Sequence, residues 1–248
     1  MYKLSGVSND ASALDFRISD ISCQGNYVEE IINRRMPASA EKPPTKFGVV
    51  VFPGFQALDV FGPVDVLNNY SQSAPLEFVL LAVTRDPVTT KLAQLGTIGQ
   101  SVVPTHTFDG CPEDLEVLLV PGGVGNRDPA VTAPIVEFVK RIYPKLRFLL
   151  TVCTGSAIVA QSGLLDGRQA TSNKKSWDWV VSQGPNVQWV RQARWVVDGN
   201  IWTSSGVSAG IDLMFAFIKD QYGEETSKRL ADKAEYVRNP DSSVDPFA

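Results

Sequence analysis

The stretch Arg147-Phe-Leu-Leu-Thr-Val-Cys153-Thr-Gly-Ser-Ala-Ile-Val-Ala-Gln-Ser-Gly163 decides how this chain folds. Phe148 to Val152 is a short, largely apolar run and Ala157 to Gln161 is helix-tolerant, so the segment reads as a buried strand turning sharply into a helix that Gly163 caps. Cys153 sits at the turn. A thiol there faces unpaired backbone N–H groups and the positive end of the helix dipole, which favour thiolate over thiol. Gly155, Ser156 and Ala157 let the backbone pass close to a bound molecule, as in the strand-turn-helix elbow that carries serine nucleophiles. A buried structural cysteine would satisfy the same local sequence, so the rest of the chain has to decide between the two.

Working outward, strand-like runs alternate with helix-like ones. Phe47-Gly-Val-Val-Val-Phe52 is an apolar, β-branched run ended by Pro53-Gly54, the appearance of a strand buried on both faces. Asp59 follows at the head of a helix that Gly62-Pro63 is expected to break early. There it is either an N-cap or a carboxyl delivered to a cleft. Glu77 to Val83 reads as the next strand, Gly96 to Val103 as a small extended excursion, and Glu116 to Gly123 as a buried strand ended by Pro121-Gly122-Gly123. Adjacent glycines there can aim backbone N–H groups into a site, although a plain turn uses the same residues. A helix from Ala130 to Tyr143 leads into the cysteine strand. This order predicts an α/β fold with a doubly wound, mostly parallel sheet, whose ligand crevice lies at the carboxyl ends of the strands. Asp59, Gly122, Gly123 and Cys153 each fall at such an end and are expected to converge, which favours the nucleophile reading.

Further on, Gln169 to Ser172 is short and extended, and Trp177 to Val180 opens a helix. Trp195 to Trp202 carries a hairpin signal at Asp198-Gly199. The tryptophans between Trp177 and Trp202 read as packing. Gly206 to Gly210 enters an apolar helix through Ile218, and a charged helix runs from Glu224 to about Arg238. Residues 1–45, with a short amphipathic helix at Val28–Met36 and prolines at 37, 43 and 44, read as an appendage and linker; residues 46–238 form the domain, and 239–248 a frayed tail.

Bulk properties exclude several classes. A chain of 248 residues with 44% hydrophobic content can enclose one large domain, and a net charge of −4 offers no basic face for nucleic acid. Cys23, Cys111 and Cys153 are odd in number and show no C-x-x-C spacing, which points to a reducing compartment. No apolar run of about 18 residues exists to span a membrane, and the start lacks a signal-type apolar region, so a cytoplasmic protein is expected. The single histidine, His106, rules out a histidine-rich metal site and is expected to be structural or at the surface.

The assembled marks are Asp59 with Gly62-Pro63, Pro121-Gly122-Gly123, Val152-Cys153-Thr154-Gly155-Ser156, Gly163-Leu-Leu-Asp-Gly167 with Ala170-Thr171, and Ser208-Ala-Gly-Ile-Asp212. Over about Lys46 to Arg238 they resemble the ThiJ/PfpI superfamily, and within it the isonitrile hydratase-like branch. The resemblance implies a flavodoxin-like sandwich, a homodimer, a small-molecule substrate, and neither cofactor nor metal. It implies Cys153 as nucleophile, Asp59 as the carboxyl that hydrogen-bonds the sulfur and handles protons, and Thr154 as a support for that carboxyl. N–H groups near Gly122, Gly123 and Thr154 would stabilise developing negative charge. Asn173 stands where many members carry histidine, which disfavours protease-like and glyoxalase-type chemistry, and the His-x-Glu of glutamine amidotransferases is missing. The implied reaction is attack of Cys153 on an isonitrile carbon and hydration of the thioimidate to an N-substituted formamide. Alternatives are a redox sensor working through Cys153 oxidation and a glyoxalase-like enzyme acting on 2-oxoaldehydes. Transcription control through an attached DNA-binding domain is not expected, because the chain ends soon after the domain.

Overall fold

The computed structural model describes residues 42–248. The helix expected at 28–36, most of the linker and Cys23 lie outside the described residues. In chain order the elements are β1 (Lys46–Val50), α1 (Ala57–Ser71), β2 (Glu77–Ala82), β3 (Val88–Thr89), β4 (Ser101–Val102), β5 (His106–Thr107), β6 (Val117–Val120), α2 (Pro129–Ile142), β7 (Phe148–Thr151), α3 (Gly155–Gln161), β8 (Gln169–Ala170), α4 (Trp177–Gln183), β9 (Gln188–Trp189), β10 (Trp195–Asp198), β11 (Ile201–Ser204), α5 (Ala209–Tyr222) and α6 (Glu224–Lys233).

Seven strands form the central sheet in the order β10-β11-β7-β6-β1-β2-β5. All neighbours pair in parallel except β10 and β11, the predicted hairpin, which closes through Gly199 at φ 60°. The strands β1, β6 and β7 are buried on both faces because helices cover each side, and their uninterrupted apolar sequences follow from that. The strand order reverses between β1 and β6. That switch point opens a crevice beyond the carboxyl ends, where β1, β6 and β7 stop. The small excursion is also present, as the β3–β4 pair.

Three local expectations need correction. Helix α1 is not broken at Gly62-Pro63 but runs on to Ser71, and it starts at Ala57, so Asp59 is its third residue rather than its N-cap. Gly62 is there for contact: a Cβ would stand 2.7 Å from Ile211 Cγ1, so α1 and α5 pack backbone-close. Helix α6 stops at Lys233 rather than near Arg238, because Glu235 turns to φ 49° and the Tyr236 hydroxyl donates to Asp212 Oδ1 at 2.9 Å.

The last ten residues are pinned rather than frayed. Asn239 N donates to Asp212 Oδ1 at 3.0 Å, Arg194 N donates to Ser242 O at 2.7 Å, and Gln192 Nε2 reaches Ser243 O at 3.2 Å. Asp245 then buries its carboxylate completely, 3.5 Å from the Lys174 ammonium. The polar composition suggested a mobile end. Each of those polar groups instead has a partner on the domain, and the buried charge of Lys174 needs an opposite one.

Candidate functional site

The site is built where β7 ends. Cys153 adopts φ 58°, a left-handed conformation costing about 1–3 kcal/mol for a residue with a Cβ. The surroundings hold it there. Its N–H donates to Ser205 O at 3.0 Å, and its carbonyl accepts from Ser172 Oγ at 2.8 Å and Ser156 Oγ at 3.2 Å. Val207, at φ 40°, is a second strained residue, and a β-branched one. Its backbone N–H addresses the Cys153 sulfur, as does that of Thr154, and the Asn173 side chain is also hydrogen-bonded to the sulfur. Since Asn173 Oδ1 accepts from Ser176 N at 3.0 Å, the Nδ2 end is the one free to donate to the thiol.

Asp59 reaches the same point from α1, the helix after β1. It is fully buried, and its Oδ2 accepts the Gly122 N–H at 2.9 Å. The remaining influence on the carboxyl is the nearby Cys153 thiol, while its Oδ1 is buried with no hydrogen-bond partner among the described residues. Burial raises the Asp59 pKa to about 7, and the Gly122 N–H and the Cys153 thiol only partly oppose this. Cys153 is raised to about 12, first by burial and then by the charge on Asp59; the two amides and Asn173 pull the other way. The expected depression by backbone N–H groups is therefore present but loses. Its helix, α3, is only seven residues long, and a thiol that is 6% exposed beside a carboxylate lacks the solvation that a sulfur anion needs. The pair shares protons: at neutral pH the thiol is protonated and the carboxyl is near half-titration.

Asp59, Gly122, Gly123, Cys153, Thr154 and Asn173 all meet here, but two roles differ from expectation. Thr154 does not hold the Asp59 carboxyl. Its Oγ1 accepts from Gly123 N at 3.1 Å and from Asn126 Nδ2 at 2.9 Å. The Gly122 and Gly123 amides are thus engaged by Asp59 and Thr154 and are not aimed at an oxyanion. Gly122 must be glycine because a Cβ would run into Thr154 N and Oγ1.

Sequence reasoning missed Asn126, Ser172, Val207 and Arg127. Asn126 is buried and also donates to Thr154 O at 2.9 Å, tying the loop after β6 to the elbow. Its place in Pro121-Gly-Gly-Val-Gly-Asn126 was the available signal. Ser172 lies inside a quoted motif, whereas nothing in the residue type of Val207 announces a positive φ. Arg127 ends the 3₁₀ turn Val124–Arg127, its Cζ 3.2 Å from the centroid of the Trp179 ring, and a charge on Cys153 reaches it. So Trp179 does more than pack. His106 lies on β5, four strands from β7, about 19 Å at ~4.8 Å per strand, with Nδ1 3.0 Å from Thr105 Oγ1. No imidazole serves the sulfur.

Two cavities open nearby. One of about 570 Å³ lies between the β1 and β6 loops and is lined by Gly54, Lys91, Leu92, Gly125 and Arg127 among others; a second of about 330 Å³ lies under Phe108 and Ile135. Neither is lined by Cys153, which is itself 6% exposed.

Fold and site together define an α/β sandwich protein with a cysteine elbow and a carboxyl partner. The chain belongs to the DJ-1/PfpI family, whose profile matches residues 45–220. It is 31% identical over 195 residues to an isonitrile hydratase of Pseudomonas putida, across 79% of this chain and 80% of that protein. A deglycase of Pyrococcus horikoshii, PH1704, is 33% identical over 117 residues, across 47% of this chain and 68% of the relative. A ThiJ/PfpI family protein from Pseudomonas syringae superposes with a TM-score of 0.67 at 28% identity, covering 85% of both chains. No helix among the described residues is long and apolar enough to cross a membrane.

Proposed function

We propose that the protein hydrates isonitriles to N-substituted formamides through a thioimidate on Cys153. The observation that carries this reading is a thiol–carboxyl pair whose neighbouring glycine amides are already engaged. Carbonyl chemistry on a 2-oxoaldehyde or a glycated amine develops an oxyanion and calls for free N–H donors. Thiol addition to an isonitrile develops none. The substrate also presents its reacting carbon at the end of a slender, linear group, which suits a buried cysteine that is only 6% exposed.

In the first step the sulfur bonds to the isonitrile carbon. The S–H proton passes to the Asp59 carboxylate and on to that same carbon, giving R–N=CH–S–Cys153. Water then adds to the carbon, Asp59 taking its proton and the imine nitrogen receiving one. Collapse of R–NH–CH(OH)–S–Cys153 breaks the C–S bond, and the hydroxyl proton returns to sulfur. The sum is R–NC plus water to R–NH–CHO. One proton on the pair is the working state, and a carboxyl pKa of about 7 makes that state accessible near neutrality.

A redox-sensor role fits less well, because oxidation-prone cysteines are accessible and of low pKa, and Cys153 is neither. The test is to incubate the protein with phenyl isocyanide and follow formanilide by chromatography. Turnover that needs both Cys153 and Asp59 is expected. Turnover of methylglyoxal to lactate but not of the isonitrile would overturn the reading.

A further inference from the structure

Arg127 lines the 570 Å³ cavity and lies near enough to Cys153 for a charge on the sulfur to reach it. It is held in place without being neutralised. Its guanidinium carbon lies over the Trp179 ring, 3.2 Å from the centroid, and among the described residues it has no hydrogen-bond or ion-pair partner. A stacked guanidinium loses little freedom on binding and keeps its planar fork of donors available for a carboxylate. Asn126, next in the chain, fixes the turn to Thr154 beside the nucleophile. Lys91, a second cation, also lines the cavity, and Leu92, Leu95, Val124 and Val131 supply apolar walls. The acidic neighbour, Asp128, has its Oδ1 occupied in capping α2, where it accepts Ala130 N at 2.9 Å. The cavity therefore pairs apolar walls with two cations, Lys91 and Arg127, against the single carboxylate of Asp128.

Resting on the hydratase reading, we infer that the substrates are isonitriles whose substituent carries a carboxylate, bound by Arg127 while the isonitrile carbon reaches Cys153. A hydrogen-bonded charge pair of this kind is worth about tenfold to a hundredfold in binding.

The experiment compares 4-isocyanobenzoate with phenyl isocyanide on the whole protein and on Arg127→Ala and Arg127→Lys. In wild type, kcat/KM for the carboxylate substrate should exceed that for the neutral one by about tenfold or more, mainly through KM, and the margin should shrink with added salt. Arg127→Ala should lose at least ten times more on the carboxylate substrate than on the neutral one, with Arg127→Lys intermediate. Equal losses on both substrates, or no preference in wild type, overturn the inference while leaving the hydratase reading intact. If neither isonitrile turns over, the hydratase reading has failed separately. Calorimetric binding of 4-formamidobenzoate against formanilide then decides: binding that requires both the carboxylate and Arg127 supports the anion site, and its absence refutes it.

Discussion

Replacing Asp59 by Asn should make the protein more stable at pH 8 while removing its activity. The carboxyl is fully buried and its pKa rises from the ordinary 3.8 to about 7, chiefly through desolvation. The folded chain therefore binds this proton more tightly than the unfolded chain does. Its contribution is most favourable below pH 3.8, declines as the pH climbs toward 7, and is flat above that. At about 1.4 kcal/mol per tenfold change in proton affinity, the carboxylate costs the fold about 4 kcal/mol above pH 7. Asn keeps the acceptor for Gly122 N–H and carries no charge. Urea unfolding of both proteins should thus give similar free energies near pH 4 and a gap of several kcal/mol in favour of the variant at pH 8, other titrations cancelling in the difference. Because the Asp59 charge also raises the Cys153 pKa, alkylation of that thiol by iodoacetamide should be faster in the variant at pH 9. A pH-independent gap, or a variant less stable at pH 8, would refute the claim that an uncompensated carboxylate lies beside the sulfur.

Three more outcomes follow from the same geometry. In wild type kcat/KM for an isonitrile should rise through about pH 7 as the pair loses its first proton; a flat pH–rate profile would contradict it. Cys153→Ala and Cys153→Gly should both abolish turnover, yet the Gly variant should be about 1 kcal/mol more stable than the Ala variant, reversing the usual order, because φ 58° strains any residue with a Cβ. Thermal unfolding of the two reads this directly. Asp245→Asn leaves the Lys174 ammonium buried without its opposite charge and should cost about 1 kcal/mol at pH 7, a figure limited by the ease with which an amine of pKa about 8 gives up its proton. Lys174 is itself pushed down to about 8 by burial, so this penalty should fade by pH 9.5, where the amine is neutral in both proteins.

What the sequence conveys well is whatever depends on periodicity and on punctuation by Gly and Pro. The buried runs at Phe47, Glu116 and Phe148 and the hairpin at Gly199 declare themselves that way, and with them the meeting of Asp59, Gly122 and Cys153. What it conveys poorly is competition between effects acting at one atom. The amide of Thr154 does act on the sulfur as expected at a helix start, joined by the unexpected amide of Val207, but only the folded chain shows how completely burial and Asp59 outweigh them. Likewise Pro121-Gly122-Gly123 signals available N–H groups without saying that a carboxylate and a threonine hydroxyl reach them first. Gly62-Pro63 misleads because a local breaker is overridden by close packing on α5.

The pinned C-terminal segment makes the nucleophile answerable to a remote part of the chain. Lys174, which Asp245 faces, also donates to Ser172 O at 3.0 Å and Thr171 Oγ1 at 2.8 Å, and this short loop supplies both the Ser172 hydroxyl on the Cys153 carbonyl and Asn173. A carboxypeptidase or trypsin-like cut just past Arg238 would thus do more than shorten the molecule. It would strand an ammonium ion two bonds' reach from the elbow and loosen the strained turn, so intact mass is worth checking before a preparation is judged inactive.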